Sequence, residues 1–256
     1  MSAGQPRRDC VKAFASRETP LYRAGMRRPR VILALTAALF TASTMALGIA
    51  PVQADGAGSQ RALPPNERQP RSTQITIMGD SHIMVMIDAL YPGAHSNGNE
   101  GTRIDGKYVI YGINGIKLTQ VVRGRGTVKA GVSSVGTTNV DKWRKALKSG
   151  PNTIVVDLGT NDGGPQARDI DKFMSLAGKK RDVFWIMPYY TSCPVCRQIH
   201  DYELKAAAKR FANLHLVPMN DLGLDVSSDG LHAFGLANSR AIWKRTMETI
   251  DRVKRS

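Results

Sequence analysis

Residues 153–162, TIVVDLGTND, decide the fold. A nearly unbroken apolar and β-branched run, Thr153 to Leu158, suits a strand buried on both faces, as in a parallel sheet. Gly159 marks the turn that ends it. Runs of the same kind recur at Gln74–Met78 (QITIM), Thr127–Ala130 (TVKA), Val183–Met187 (VFWIM) and Leu214–Val217 (LHLV). Between them lie amphipathic stretches, Ile83–Leu90, Val140–Lys148, Asp169–Leu176, His200–Ala212 and Leu236–Val253. In the last, Leu236, Ala237, Ala241, Ile242, Met247, Ile250 and Val253 fall at helical spacing opposite a basic face. Strand–helix alternation predicts an α/β three-layer sandwich around a central five-stranded parallel sheet with right-handed crossovers. Such a sheet binds ligands beyond the carboxyl ends of its strands. Residues 92–126 break the rhythm: they are glycine-rich, with β-like pieces at Tyr108–Tyr111 and Ile116–Val122 around Gly112-Ile113-Asn114-Gly115. They read as an inserted hairpin or lid, or as an ordinary surface excursion.

The 256 residues carry 36 Lys and Arg against 21 Asp and Glu, a net charge of +15 that suggests a nucleic-acid or anionic-surface partner. The distribution of that charge changes the conclusion. Arg7, Arg8, Lys12, Arg17, Arg23, Arg27, Arg28 and Arg30 face only Asp9 and Glu18, and an uncharged run follows from Val31 to Ala50. Val52 and Ala54 are small enough for the two pocket positions of a signal peptidase site. Residues 1–54 therefore read as an export signal with a long basic leading region, the alternative being an uncleaved anchor. Met26 would serve equally well as a start, which would make residues 1–25 superfluous. Residues 55–72, rich in Gly, Pro and Gln, read as a flexible leader, and 73–256 as the working domain. Without the signal, 28 basic residues face 19 acidic ones. Outside the cytosol such a surplus suits an anionic cell-wall or membrane surface, and no nucleic acid is expected.

Three short strings fall where this architecture places its ligands. Gly79-Asp80-Ser81-His82 follows the first strand and opens a helix; Gly159-Thr160-Asn161-Asp162 follows the strand quoted above; Ser228-Asp229-Gly230-Leu231-His232 precedes the last helix. Together they hold the parts of an acyl-transfer site. Ser81 at a strand-to-helix turn presents its hydroxyl and a backbone N–H suited to a developing oxyanion. His232 can take the serine proton, and Asp229 can hold the imidazole tautomer. Asn161 offers a side-chain N–H to the oxyanion. A further backbone N–H is sought in the glycine-bearing turn from Ala130 to Thr138.

On these residues the chain resembles the SGNH hydrolases, the GDSL-type esterase superfamily, over roughly Gln74 to Ile250. The resemblance implies a flavodoxin-like sheet, Ser81 as nucleophile, Asn161 in the oxyanion hole, and Asp229 and His232 as the Asp-x-x-His pair. It places the oxyanion glycine on Gly136, with Gly131 as fallback, in a turn longer than the family's usual one. His82 stands where the family often has leucine. GDSH is common in SGNH domains attached to membrane acyltransferases, and the Ser81 and Asp229–His232 regions also resemble the extracytoplasmic domain of peptidoglycan O-acetyltransferases. The second glycine of the α/β-hydrolase G-x-S-x-G turn is missing from Gly79-Asp80-Ser81-His82-Ile83.

Cys193-Pro194-Val195-Cys196 in an exported chain predicts a small-loop disulfide bracing a substrate-side loop; zinc with His200 lacks an evident fourth ligand. Tyr189 and Tyr190 are candidate substrate walls, or strand-end packing. His82, His95, His200 and His215 make no comparable claim to chemistry. The resemblance implies an exported serine esterase acting on acylated carbohydrate or another small ester, first of all an acetyl ester, with neither cofactor nor metal. Three rivals remain: an O-acetyltransferase using the same acyl-enzyme with a membrane acyl donor, a lipase, and a non-catalytic cationic wall-binding module.

Overall fold

The computed structural model describes residues 74–92, 101–131 and 136–256. The expected signal, leader and anchor within residues 1–72 lie outside the described residues. Among those described, no helix is long and apolar enough to cross a membrane.

Fifteen residues in three neighbouring strands form the centre: β1 (Ile75–Gly79), β3 (Tyr108–Gly112) and β6 (Thr153–Asp157). The chain-order labels β2 (Thr102–Ile104), β4 (Thr127–Lys129), β5 (Thr137–Asn139), β7 (Asp182–Ile186) and β8 (Leu214–Val217) complete the set. The main sheet runs β2-β3-β1-β6-β7-β8. Its five longer strands are parallel, and β2 joins antiparallel to β3 at one edge. Every residue of β1 and β6 is buried, as their continuous apolar runs require.

Helices cover both faces. α1 (Ser81–Leu90) and α6 (Leu236–Arg255) lie on one; α2 (Leu118–Arg123), α3 (Val140–Ser149), α4 (Ala167–Ala177) and α5 (Pro194–Arg210) lie on the other. The pleat divides side chains between the two cores with period two. Val155, Phe184 and Ile186 join Ile83, Ile87, Trp243 and Ile250, whereas Ile154, Val156, Val183 and Trp185 join Trp143, Phe173 and Leu204. Each such side chain, fully buried, contributes about 1.5–3 kcal/mol of hydrophobic free energy.

The three-layer α/β sandwich is as expected, but one of the sheet's members is different. Thr127–Lys129 does not enter the main sheet; it pairs with β5 in a separate two-stranded ribbon. Its residues alternate exposed, half-buried and exposed, so it lacks the apolar face an interior strand needs. The place it was expected to fill is taken by Tyr108–Gly112, which pairs with β1 along its whole length. The segment expected to be an inserted hairpin or lid thus supplies a hairpin, and that hairpin is built into the sheet. Ile116–Val122 is not β-like either: Leu118, Val121 and Val122 bury one face of a short helix. The crossover from β3 back to β6 consequently contains α2, the β4–β5 ribbon and α3.

Candidate functional site

Ser81 opens α1, directly after β1 and the N-cap Asp80. The turn is tight because Gly79 has no side chain: a Cβ there would lie 2.1 Å from the Ile83 side chain and 2.9 Å from the Asp157 carbonyl. Asp80 is buried and spends both carboxylate oxygens locally. Oδ1 accepts from the His82 N–H at 3.0 Å, and Oδ2 accepts from the Asn161 side-chain amide at 2.8 Å. Burial, first of all, pushes the Asp80 carboxyl up to about 7, with the neighbouring Asp157 adding to the rise.

His232 reaches Ser81 from the loop before α6. Its Nε2 lies 2.8 Å from the Ser81 hydroxyl, and its Nδ1 lies 2.7 Å from Asp229 Oδ2. The other oxygen of Asp229 accepts from the N–H groups of Leu231 (2.7 Å) and His232 (3.1 Å) and from the Ser227 hydroxyl. Partial burial opposes ionisation of Asp229, but these hydrogen bonds, led by that of His232, hold its carboxyl well below the usual range. Thus an ionised acceptor orients one imidazole nitrogen while the other faces a hydroxyl. The loop is anchored from β7's side: the N–H groups of Thr191 and Ser192 both donate to the Gly230 carbonyl, at 2.7 and 2.9 Å.

Asn161 sits in the short 3-10 turn Thr160–Asp162 that follows β6. Its amide donates to Asp80 and, at 3.2 Å, to the carbonyl of Ile116. Asp162 beside it has a use that the sequence reading missed. Its carboxylate accepts from the N–H groups of Leu118 (2.8 Å) and Thr119 (3.1 Å), holding the start of α2 against the site. An acidic residue next to the expected oxyanion asparagine was the available signal.

The expected glycine, Gly136, stands at the head of β5 in the separate ribbon, where it packs beside Ile113. The turn that does touch Asn161 follows β3, and its glycine is Gly115. Gly112 lies in register with Gly79, the Ile113 N–H donates to the Gly79 carbonyl at 3.3 Å, and Ile116 accepts from Asn161. Gly115 takes φ +74°, and a Cβ there would come within 2.6 Å of the Gly131 Cα. Gly131, the fallback, is the neighbour that forces this position to be glycine. The expectation of Gly136 followed from placing Thr127–Ala130 in the sheet where Tyr108–Gly112 lies.

Tyr189 and Tyr190 are buried, at 7% and 2% exposure, so they back the site and do not wall it. The exposed aromatic beside the histidine is Phe234, whose ring lies 5.3 Å from that of His232. Cys193 and Cys196 form a disulfide, with Cys193 as the N-cap of α5. Those sulfurs therefore cannot serve with His200 as zinc thiolates. His200 is buried against Gly159, and burial pushes it down to about 4. Among the described residues, Asp80, His82 and Asp157 bring ligand-type atoms within 4.8 Å of one another. Both Asp80 oxygens already accept hydrogen bonds, and the set suits a protonated imidazole between carboxylates better than a metal ion.

No family model matches the chain, and no curated protein matches it. Solved structures do. The chain is similar to the C-terminal catalytic domain of peptidoglycan O-acetyltransferase A from Streptococcus pneumoniae, bearing a methylsulfonyl adduct (14% identity, 72% of this chain, 93% of that one, TM-score 0.44). It is similar to the psychrotrophic esterase EstA of a Pseudoalteromonas species, inhibited by monoethylphosphonate (16% identity, 72% and 100%, TM-score 0.46). A GDSL-like lipase from Bacteroides thetaiotaomicron matches comparably (14% identity, 73% and 92%, TM-score 0.45). At these identities the likeness is one of fold alone.

Proposed function

We propose that the chain is an exported serine esterase of the SGNH type, hydrolysing O-acyl esters, first of all O-acetyl esters, of envelope carbohydrate. The observation that supports it is the continuous relay from the Ser81 hydroxyl through His232 to Asp229. In this reading Ser81 Oγ attacks the ester carbonyl while His232 Nε2 accepts its proton. The imidazolium that forms is stabilised by ionised Asp229. The oxyanion is received by the backbone N–H of Ser81 and by Gly115 in place of Gly136, with the Asn161 amide turning toward it from Asp80 or Ile116. His232 returns its proton to the departing alcohol, leaving an acyl-Ser81 ester. It then takes a proton from water, whose oxygen attacks that ester to release the acid and regenerate Ser81.

The Cys193–Cys196 disulfide supports an oxidising, extracytoplasmic setting, as does the basic, apolar, small-residue order of residues 1–54. The remaining basic surplus supports docking on an anionic wall or membrane surface. Hydrolysis of p-nitrophenyl acetate by the wild type and by Ser81→Ala tests the central step. The variant is expected to lose about 10⁴-fold or more in kcat, and a fluorophosphonate probe is expected to label Ser81 in the wild type alone. Full activity in Ser81→Ala would end the proposal. Wild-type labelling with transfer of acetyl to a glycan hydroxyl, in place of release as acetate, would reassign the enzyme as an acetyltransferase.

A further inference from the structure

The mechanism above leaves one buried ionisable side chain next to the nucleophile without a task. His82 follows Ser81 in α1, and its side chain is 1% exposed. Neither ring nitrogen has a hydrogen-bond partner of good geometry. The ring is surrounded by charge-bearing groups from every element packed on it. Asp80 lies at the start of its own helix, and Asp157 at the end of β6 places Oδ1 3.5 Å from Nδ1. Tyr189, after β7, lies parallel-tilted with ring centres 4.9 Å apart. His232, from the loop before α6, stands edge-to-face at 5.4 Å and 88°, with Asp229 behind it. His200 of α5 also lies within electrostatic reach of both Asp157 and His82.

Two carboxylates buried side by side, Asp80 and Asp157, need a cation or a proton to share their site. The imidazole of His82 is the group placed to supply it. Burial opposes charge on that ring, but attraction from Asp157 and then Asp80 prevails and pushes it up to about 9. A cation at this point lies one ring away from the group that must accept the serine proton, and like charges at such a distance disfavour each other.

We propose that His82, held as an imidazolium by Asp157 and Asp80, is a positioning residue that fixes the plane of the His232 ring and keeps that ring in its proton-accepting form. The inference rests on the Ser81–His232–Asp229 reading. His82 touches neither substrate nor the reacting atoms; it acts through His232. Removing its charge relieves repulsion and exposes His232 to the uncompensated carboxylate of Asp157. Both changes favour protonation of His232, so they add.

The test is the pH profile of kcat/KM for p-nitrophenyl acetate in the wild type, His82→Gln and His82→Leu. Without the cation the acid limb is expected to move up by about two pH units, the displacement for unit charges roughly 5 Å apart near the protein surface. At pH values below the limb this is a loss of about a hundredfold, with KM changed less than about twofold because the substrate contacts are intact. A purely packing role would lower the plateau and leave the limb in place, which would overturn the inference. Ring-nitrogen NMR of the unaltered protein gives an answer that does not depend on either variant folding. One histidine is expected to retain the cationic pattern above pH 7.5, and the absence of any such ring would equally overturn the inference. Loss of the esterase reading shows differently, as activity that survives Ser81→Ala.

Discussion

The two ends of the parallel sheet differ in kind. At the carboxyl ends, β1 and β6 deliver Asp80, Ser81, His82 and Asp157 into a crowded group that meets His232 and Asp229. At the amino ends, an open cleft is lined by Gln74, Arg103, Tyr111, Lys142, Lys145 and Asn152 among others, with no carboxylate in its wall. One end has ionisable groups close enough to set each other's protonation. The other has room and positive charge but no carboxylate to set a histidine's protonation. Among the described residues, this cleft and the ionisable group thus lie at opposite ends of the sheet. The topology explains the division: crossovers leave the carboxyl ends through turns whose backbone N–H groups and helix starts face one another.

The sharpest way to break this comparison is at Asp229. Asp229→Asn keeps the shape of the loop but leaves the His232 tautomer unspecified, and kcat for p-nitrophenyl acetate is expected to fall by about 10³-fold or more. A loss below tenfold would mean that the carboxyl end is not organised around that imidazole.

A second, intermediate effect lies in stability. His82 is raised above its ordinary value in the fold, so its contribution is fully present below about pH 6.5 and is lost as pH rises through about 9. Asp80, raised to about 7, acts in the same direction at lower pH, because folding favours its protonated form. Stability against thermal unfolding is therefore expected to fall between pH 6.5 and 9 by on the order of 1–3 kcal/mol, and His82→Leu should flatten that slope. A Tm that rises across this window would contradict the buried charge assignment.

The smallest expected effect on catalysis belongs to the amino end. Lys142→Glu with Lys145→Glu should change hydrolysis of p-nitrophenyl acetate by less than about twofold, since neither residue lies near Ser81. Binding of the same double variant to a polyanion such as a teichoic-type polymer is expected to weaken, most visibly at low salt. Equal binding by both proteins would remove the cleft from any docking role.

The limits of legibility follow from burial. Thr153–Asp157 and Asp182–Ile186 could be recognised because strands covered on both faces carry continuous apolar runs. Tyr108–Tyr111 was legible as a β-like piece but not as a member of the main sheet, because its residues alternate between buried and half-buried and it lies in a glycine-rich stretch next to the sheet edge. That misplacement also moved the turn in which an oxyanion glycine was sought, from the one that carries Gly115 to the one that carries Gly136. Ser81, Asn161, Asp229 and His232 were visible as motifs because each lies within a short string at a strand or helix end. His82 was visible as a residue but had no evident task, since its counter-ion Asp157 comes from a distant strand and no local pattern pairs them. Tyr189 and Tyr190 were left open between walls and strand-end packing for a similar reason: an aromatic pair after a strand looks the same whether it faces solvent or the core.

The anchoring of the Asp229–His232 loop has a consequence for how the protein tolerates change. Its ties to the β7 side are main-chain hydrogen bonds, Thr191 and Ser192 to the carbonyl of Gly230, so replacing either of those side chains removes neither bond. The vulnerability is concentrated in the acceptor. Gly230 sits at φ +68°, and any Cβ there would meet the Ser192 backbone nitrogen at 2.8 Å. A screen of random variants should thus find positions 191 and 192 permissive in sequence and position 230 closed to all side chains. Mutational tolerance along this loop is therefore set by one missing methyl group, and not by the identity of the residues that hold it.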